Sequence, residues 1–346
     1  MIESNSDNRK NLVVGLSITG TDDYWALALI TILSLKEQID VTPTKVLIVT
    51  DQREKFHHFE KLRETLGCDL VRVAPRGFYQ DLVPKMKGNY ATYWKFDLFN
   101  ALNDNEVLMY IDVDAFAIGK LKVNAIIDVL SESEYQIAAV PSPRPVLERV
   151  AATRIKSPFD YFNAGVLFGV ADSRYEEASI ETAYREIIKF DSLNVFWHDQ
   201  DIFNYLFRDS TFKLPYTYNI HTGYLSNNFR SPALLNGLAS EDIDRNVSIA
   251  HVSGDFLLSR RYHPFKSKFK PLVDKAIKNL DCYSNGGERH YSNLRAALVR
   301  LQKNAHRTQL DYFFQCLGLR SKAFARSFYF EKLKLTLRKI KHLVMG

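Results

Sequence analysis

Cysteine is scarce in this 346-residue chain, and Cys68, Cys282 and Cys316 are an odd number with no C-x-x-C spacing. That pattern argues against a disulfide framework and against a cysteine zinc site, so a reducing, cytoplasmic setting is expected. No apolar run reaches about 18 residues, so no single helix is expected to span a bilayer. The first residues, MIESNSDNRK, are polar and lack the apolar core of a signal peptide. No G-x-G-x-x-G follows the first strand-like segment, which disfavours a dinucleotide dehydrogenase. Internal repeats and low-complexity segments are also missing. Acids are nearly missing from one end. From Arg289 to Gly346 there are thirteen Lys/Arg against Asp311 and Glu331, a charge of +11, although the whole chain carries only +6. The basicity is local, so its explanation must be local too: an anionic lipid surface or a nucleic acid.

What is present is an ordinary globular composition, 46% hydrophobic and 25% charged. The first two-thirds alternates strand-like and helix-like segments. Leu12–Ile18, Lys45–Thr50 and Leu70–Ala74 read as strands; Tyr24–Glu37, Arg53–Leu66 and Thr92–Leu102 read as helices. Gln136–Val140, Gly165–Val170 and Val247–Val252 are further strand candidates. This alternation predicts an α/β fold, a mostly parallel central sheet with helices on both faces. Residues 1–10 read as a polar tail, 11–287 as the main α/β domain, and 288–346 as a helical, basic C-terminal extension. At its end Phe330, Leu333, Leu337, Ile340 and Val344 share a helical face, with Lys332, Lys334, Arg338, Lys339 and Lys341 around the rest. Such a helix either packs on the domain or lies on an anionic membrane. The charge density, with Phe324, Phe328 and Tyr329 just before it, favours the membrane. The tail's aromatics match no RNA- or DNA-binding motif, so no nucleic-acid partner is expected.

The richest stretch is EVLMYIDVDAFAIG, residues 106–119. Side chains two apart on a strand share a face, so Asp112 and Asp114 are expected to project together. Two carboxylates so placed need compensation. Either a divalent ion with oxygen ligands, Mn²⁺ or Mg²⁺, supplies it, or one Asp caps the next turn and the other is solvated. Taken alone, the pair leaves both readings open.

Four further segments carry chemistry: Tyr161-Phe-Asn-Ala-Gly-Val-Leu-Phe168, Phe196-Trp-His-Asp-Gln-Asp-Ile-Phe-Asn204, Ala250-His-Val-Ser-Gly254 and Ala91-Thr-Tyr-Trp-Lys95. Singly, Asn163 reads as a turn cap, Asp199 as a helix N-cap and His251 as a buried imidazole. Together and in this order they make the chain resemble glycosyltransferase family 8, retaining enzymes of the GT-A nucleotide-diphosphosugar transferase fold. Among its members the likeness is to bacterial lipooligosaccharide galactosyl- and glucosyltransferases, from about Leu12 to Gly254.

The resemblance implies a metal-dependent hexosyltransferase that takes a UDP-sugar and serves a glycan or glycolipid acceptor. Lipopolysaccharide or other surface-glycan synthesis is the implied context, at the inner face of the cell membrane. It implies that Asp112, Asp114 and His251 hold the metal, Mn²⁺ or Mg²⁺. Asp22, Tyr24, Lys95, Asn163, Gly165 and Gly254 are implied in donor and nucleotide binding, and Asp199 and Gln200 in catalysis at the anomeric carbon. Two positions depart from the family pattern. The pyrophosphate-binding Lys expected after His251-x-x-Gly254 is absent, so a cation from Arg260, Arg261 or Lys266 is expected in its place. Where an acid often follows Gln136–Val140, this chain has Pro141-Ser142-Pro143. The alternatives are a glycogenin-like or protein-directed transferase, and a degenerate sugar-nucleotide or glycan binding module.

Overall fold

Continuous burial along the central strands builds a sheet covered on both faces. The computed structural model describes residues 10–82, 90–142, 147–189, 199–221, 247–252, 266–283 and 289–305. Seven strands, β1 (Asn11–Ser17), β2 (Lys45–Val49), β3 (Asp69–Val73), β4 (Glu106–Ile111), β6 (Ile137–Pro141), β7 (Phe162–Val170) and β8 (Thr211–Lys213), lie in the order β3-β2-β1-β4-β7-β6-β8. A second sheet of three strands runs β5 (Ala115–Ala117), β10 (Ile249–His251), β9 (Ile220–His221). In the large sheet β7 runs antiparallel to both neighbours, and the other pairings are parallel. The Val247–Val252 candidate therefore belongs to the small sheet, not the main one.

Helices α1 (Asp22–Gln38), α2 (Arg53–Glu60), α3 (Arg63–Leu66), α4 (Phe78–Leu82), α5 (Lys95–Asn100) and α6 (Val123–Glu132) come from the first half. Then follow α7 (Leu147–Ala152), α8 (Glu177–Ile188), α9 (Asp199–Phe207), α10 (Lys266–Tyr283) and α11 (Arg289–Ala305). The helix expected over Arg53–Leu66 is interrupted, with the Leu62 N–H bonded to the Phe59 carbonyl at 3.0 Å between α2 and α3. Gly67 ends α3 at φ 64°, where its N–H caps two carbonyls. The helix expected from Thr92 begins as a 3₁₀ turn, Tyr90–Trp94, and continues as α5.

The two faces carry separate cores. On β4, Val107, Met109 and Ile111 join α1, α6, α10 and α11, whereas Leu108 and Tyr110 join α5, α8 and α9. A strand buried on both sides reads as a continuous apolar run, which is why EVLMYI shows no polar alternation. Helix α1 is likewise buried all round from Trp25 to Leu35. It lies between β5 on one side and the α10–α11 pair on the other. Part of the region read as a C-terminal extension thus packs on the α/β domain: α11 buries Leu294, Ala297, Leu298 and Leu301. Arg300 of α11 pairs with Asp23 at the start of α1, at 2.8 Å. The amphipathic segment from Phe330 to Val344 lies outside the described residues. Among the described residues, no helix is long and apolar enough to cross a membrane.

Leu298 is fully buried in the α11 contact. Leu298→Ala is expected to cost about 2–5 kcal/mol of stability in urea unfolding, the usual range for a buried Leu truncated in a core.

Candidate active site

Asp112, Asp114, Asn163, Gly165, Asp199, Gln200 and His251 gather beyond the carboxyl ends of the parallel strands, where open α/β sheets bind ligands. β4 stops at Ile111, and Asp112 to Ala115 form a turn closed by the Ala115 N–H on the Asp112 carbonyl at 2.9 Å. Asp112 and Asp114 do share a face, but a turn brings them together rather than the pleat of a strand. The turn is gripped from α1: Thr31 Oγ1 donates to the Val113 and Ala115 carbonyls at 3.0 and 3.1 Å. Ser34 Oγ accepts the Ala117 N–H at 3.0 Å. Two polar side chains in an apolar helix thereby satisfy backbone groups that would otherwise be buried without partners.

His251 arrives from far along the chain. β10 pairs antiparallel with β5 directly after the turn, and the Val252 N–H donates to the Asp114 carbonyl at 2.9 Å. That register sets His251 Nε2 3.3 Å from Asp114 Oδ1 and 3.6 Å from Asp112 Oδ2. Gly165 makes the approach possible. A Cβ there would lie 2.3 Å from His251 Cε1 and 2.8 Å from Asp112 Oδ2.

One oxygen or nitrogen from each of Asp112, Asp114 and His251 lies within 4.8 Å of the others. Two carboxylates and an imidazole are a fitting donor set for a divalent ion. The electrostatics agree. Burial alone would lower His251, but Asp114 and Asp112 outweigh it and hold the imidazole above its usual range. A pocket that draws a proton onto a buried imidazole also draws a cation.

Lys95 lies behind this cluster, 4% exposed. Its Nζ is 2.6 Å from Asp199 Oδ2 and 3.7 Å from Asp112 Oδ1, donates to the Ala164 carbonyl at 3.0 Å, and sits over the Tyr110 ring. Burial opposes its charge, yet Asp112 and Asp199 raise its pKa. Burial pushes the Asp112 carboxyl up, with Lys95 and His251 pulling against it. The resemblance set Lys95 against the donor; here its ammonium lies among the carboxylates. Tyr110, whose hydroxyl donates to Asp112, was hidden in the apolar run.

The two most specific motifs are bonded to each other. Asn204 of α9 accepts the Phe162 N–H and donates to the Phe162 carbonyl, both at 2.8 Å. Gln200 Oε1 accepts from Asn163 Nδ2 at 3.0 Å and from the Ala164 N–H at 3.3 Å. Asp201 is buried, bonded by Tyr161 at 2.6 Å and by Arg149 of α7 at 3.0 Å. Asp199 opens α9, where the helix N-terminus favours negative charge.

Lys95, Tyr110, Asp112, Asp114, Asn163, Gly165, Asp199, Gln200 and His251 line a cleft of about 450 Å³, together with Tyr24, Thr92 and His221. Burial, then the neighbouring His251, holds His221 well below the usual imidazole range. Asp22 starts α1 and pairs with Lys55 at 3.0 Å. Gly254, Arg260 and Arg261 lie outside the described residues; Lys266 opens α10, where only its backbone is described. Asn219 was not foreseen: it accepts from His251 Nδ1 at 3.1 Å and donates to Asn163 at 2.7 Å. A single Asn outside any motif offers no signal of its own.

A family model for Glycosyl transferase family 8 matches residues 15–256. Among curated proteins no sequence matches significantly. Among solved structures, the bifunctional glycosyltransferase WbbM in apo form is similar with a TM-score of 0.55 at 15% identity, covering 83% of this chain and 53% of that one. The chain thus spans about half the length of WbbM. The galactosyltransferase LgtC, in complex with donor and acceptor sugar analogues, is similar with a TM-score of 0.55 at 14% identity, covering 76% of this chain and 95% of that one. The glycosyltransferase GlyE from Streptococcus pneumoniae is similar with a TM-score of 0.52 at 20% identity, covering 80% and 64%. At these identities the likeness is one of fold.

The Asn204 bonds can be tested without assuming any function. Asn204→Ala leaves two buried backbone groups of Phe162 short of a partner, at about 1–3 kcal/mol each. Urea unfolding should show that loss, and Asn204→Asp, which keeps the acceptor but sets a buried carboxylate against the Phe162 and Gln200 carbonyls, should show no less.

Proposed function

The chain belongs to glycosyl transferase family 8, and on that premise we propose that it moves a hexose from a UDP-sugar, UDP-galactose or UDP-glucose, to a glycan or lipid-linked acceptor. The observation that carries the reading is the juxtaposition of Asp112, Asp114 and His251 with Asp199 and Gln200 in one cleft. In this proposal Asp112, Asp114 and His251 hold a divalent cation, Mn²⁺ or Mg²⁺, together with the donor diphosphate. What such an ion supplies when bound is neutralisation of charge on the departing nucleotide diphosphate. The chain's residues do the rest. Tyr24 borders the nucleoside end of the cleft. Lys95 holds the Asp199 carboxylate in place, so that a fixed negative charge faces the sugar as positive charge develops on its ring. Gln200 and Asn163 frame the same sugar, each locked by backbone N–H groups of the Asn-Ala-Gly segment. Because Gln200 Oε1 already accepts two hydrogen bonds, the larger electrostatic share falls to Asp199.

The basic residues beyond α11 are assigned to an anionic membrane surface, which would set the enzyme at the cytoplasmic face of a membrane beside a surface-glycan or lipopolysaccharide precursor. Each Lys or Arg near such a surface contributes roughly 1 kcal/mol of attraction. A cation from Arg260, Arg261 or Lys266 is assigned to the pyrophosphate, in place of the family's Lys.

Incubation with a panel of UDP-sugars, with and without Mn²⁺, should release UDP from one of them by slow hydrolysis. Asp114→Ala should abolish this release while the fold is retained. Full activity in excess chelator would overturn the metal assignment, and release from no sugar nucleotide would favour a binding module instead.

A chain ending near Arg320 retains α11. It should keep its melting temperature and its turnover on a water-soluble acceptor, and lose salt-sensitive binding to anionic liposomes. Unfolding or aggregation of that truncated chain would mean that the tail belongs to the fold.

A further inference from the structure

Asn219 is nearly buried between His251 and Asn163. The direction of every bond in this line follows from backbone donors, whose identity is never ambiguous. The Gly165 N–H donates to Asn163 at 2.8 Å, so the atom facing it is oxygen and Asn163 Nδ2 turns to Gln200 Oε1 at 3.0 Å. The Ala164 N–H also meets Gln200 Oε1, so Gln200 Nε2 turns to the Tyr161 hydroxyl at 3.0 Å, and that hydroxyl donates to Asp201 at 2.6 Å. In the other direction, Asn163 Oδ1 requires a donor, and Asn219 supplies Nδ2 at 2.7 Å. The remaining half of the Asn219 amide is therefore its oxygen. His251 Nδ1, at 3.1 Å, must donate to it. Nε2 is then the nitrogen presented to Asp112 and Asp114. Turning the Asn219 amide over would set two oxygens against each other at Asn163 and force the proton of a neutral His251 onto Nε2. Two consecutive backbone N–H groups thus set the polarity of a side-chain line running from Asp201 to His251.

We propose that Asn219 is a positioning residue: it fixes His251 with Nδ1 protonated and Nε2 toward the carboxylates, and through Asn163 it ties the ion-binding edge of the cleft to Gln200. The inference rests on reading Asp112, Asp114 and His251 as ligands of a divalent ion. Partners in the shell behind a ligating imidazole hold its tautomer and ring plane, and their loss commonly weakens metal binding about 10–100-fold.

The test is titration of Mn²⁺ alone, followed by electron paramagnetic resonance of the free ion, on the full chain and two variants, with thermal melts to establish folding. Asn219→Ala is expected to bind Mn²⁺ at least about tenfold more weakly. Asn219→Asp still accepts the His251 Nδ1–H, so its Mn²⁺ affinity should equal or exceed that of the unaltered chain. Its carboxylate cannot donate to Asn163 and repels that oxygen, so hydrolysis of the sugar nucleotide should fall while ion binding holds. Asn219→Ala with undiminished Mn²⁺ affinity overturns the proposal. So does a folded Asn219→Asp that loses ion binding and turnover together. If Asn219→Ala does not fold, the split between affinity and turnover in Asn219→Asp decides. Failure of the unaltered chain to bind Mn²⁺ overturns the ion reading and this inference with it, whereas either variant result overturns the inference alone.

Discussion

Three carboxylates converge at one end of the sheet, and a buried ammonium is what allows it. Lys95 touches Asp199 and Asp112 and rests on the Ala164 carbonyl and the Tyr110 ring, away from water. Removing such a charge would leave the acids facing each other in a medium of low dielectric, where unpaired charge costs several kcal/mol. One ammonium against Asp112, Asp114 and Asp199 still leaves an excess of negative charge. That excess faces the cleft, where a divalent ion can meet it, while the side facing the core is neutralised. The position of Lys95 thus separates a structural function from a ligand-binding one within a single cluster.

Much of this was legible in the chain because the signals were local. Strands buried on both faces appear as apolar runs, and β1 and β2 were readable within a residue of their bounds. The clustering of Asp112, Asp114, Asn163, Asp199, Gln200 and His251 was expected from motif order, and the cleft contains them all. Strand geometry alone nevertheless does not place the Asp pair. Local alternation sees a strand continuing, whereas the chain turns at Asp112 because Thr31 and Ser34, some eighty residues earlier, offer hydrogen bonds to it there. The break between α2 and α3 and the placement of β10 in a second sheet are also tertiary outcomes. Asn219 and Arg149 were invisible for the same reason, since each matters through a partner remote in sequence; Tyr110 was hidden within the apolar run, although its partner Asp112 is only two residues on.

The motifs also gain a physical meaning that their spelling lacks. In Asn-Ala-Gly, the Gly admits His251, and the N–H groups of Ala164 and Gly165 orient Gln200 and Asn163. In the Asp-Gln-Asp segment, Asp199 meets Lys95, Gln200 meets Asn163, and Asp201 anchors to Arg149 and Tyr161. Asn204, one helical turn on, clasps the Phe162 backbone and holds α9 against β7. These two segments form one interlocked piece, so their joint appearance in a sequence carries far more information than either does alone.

Helix α11 ends close to where α1 begins, because Arg300 reaches Asp23, next to the Tyr24 that borders the cleft. The C-terminal half of α11 therefore lies toward the rim of the opening. Tyr24 stands in the first turn of α1, and α1 packs against α11, so the rim of the cleft is carried on the same helical stack as α11 and shares its rigidity.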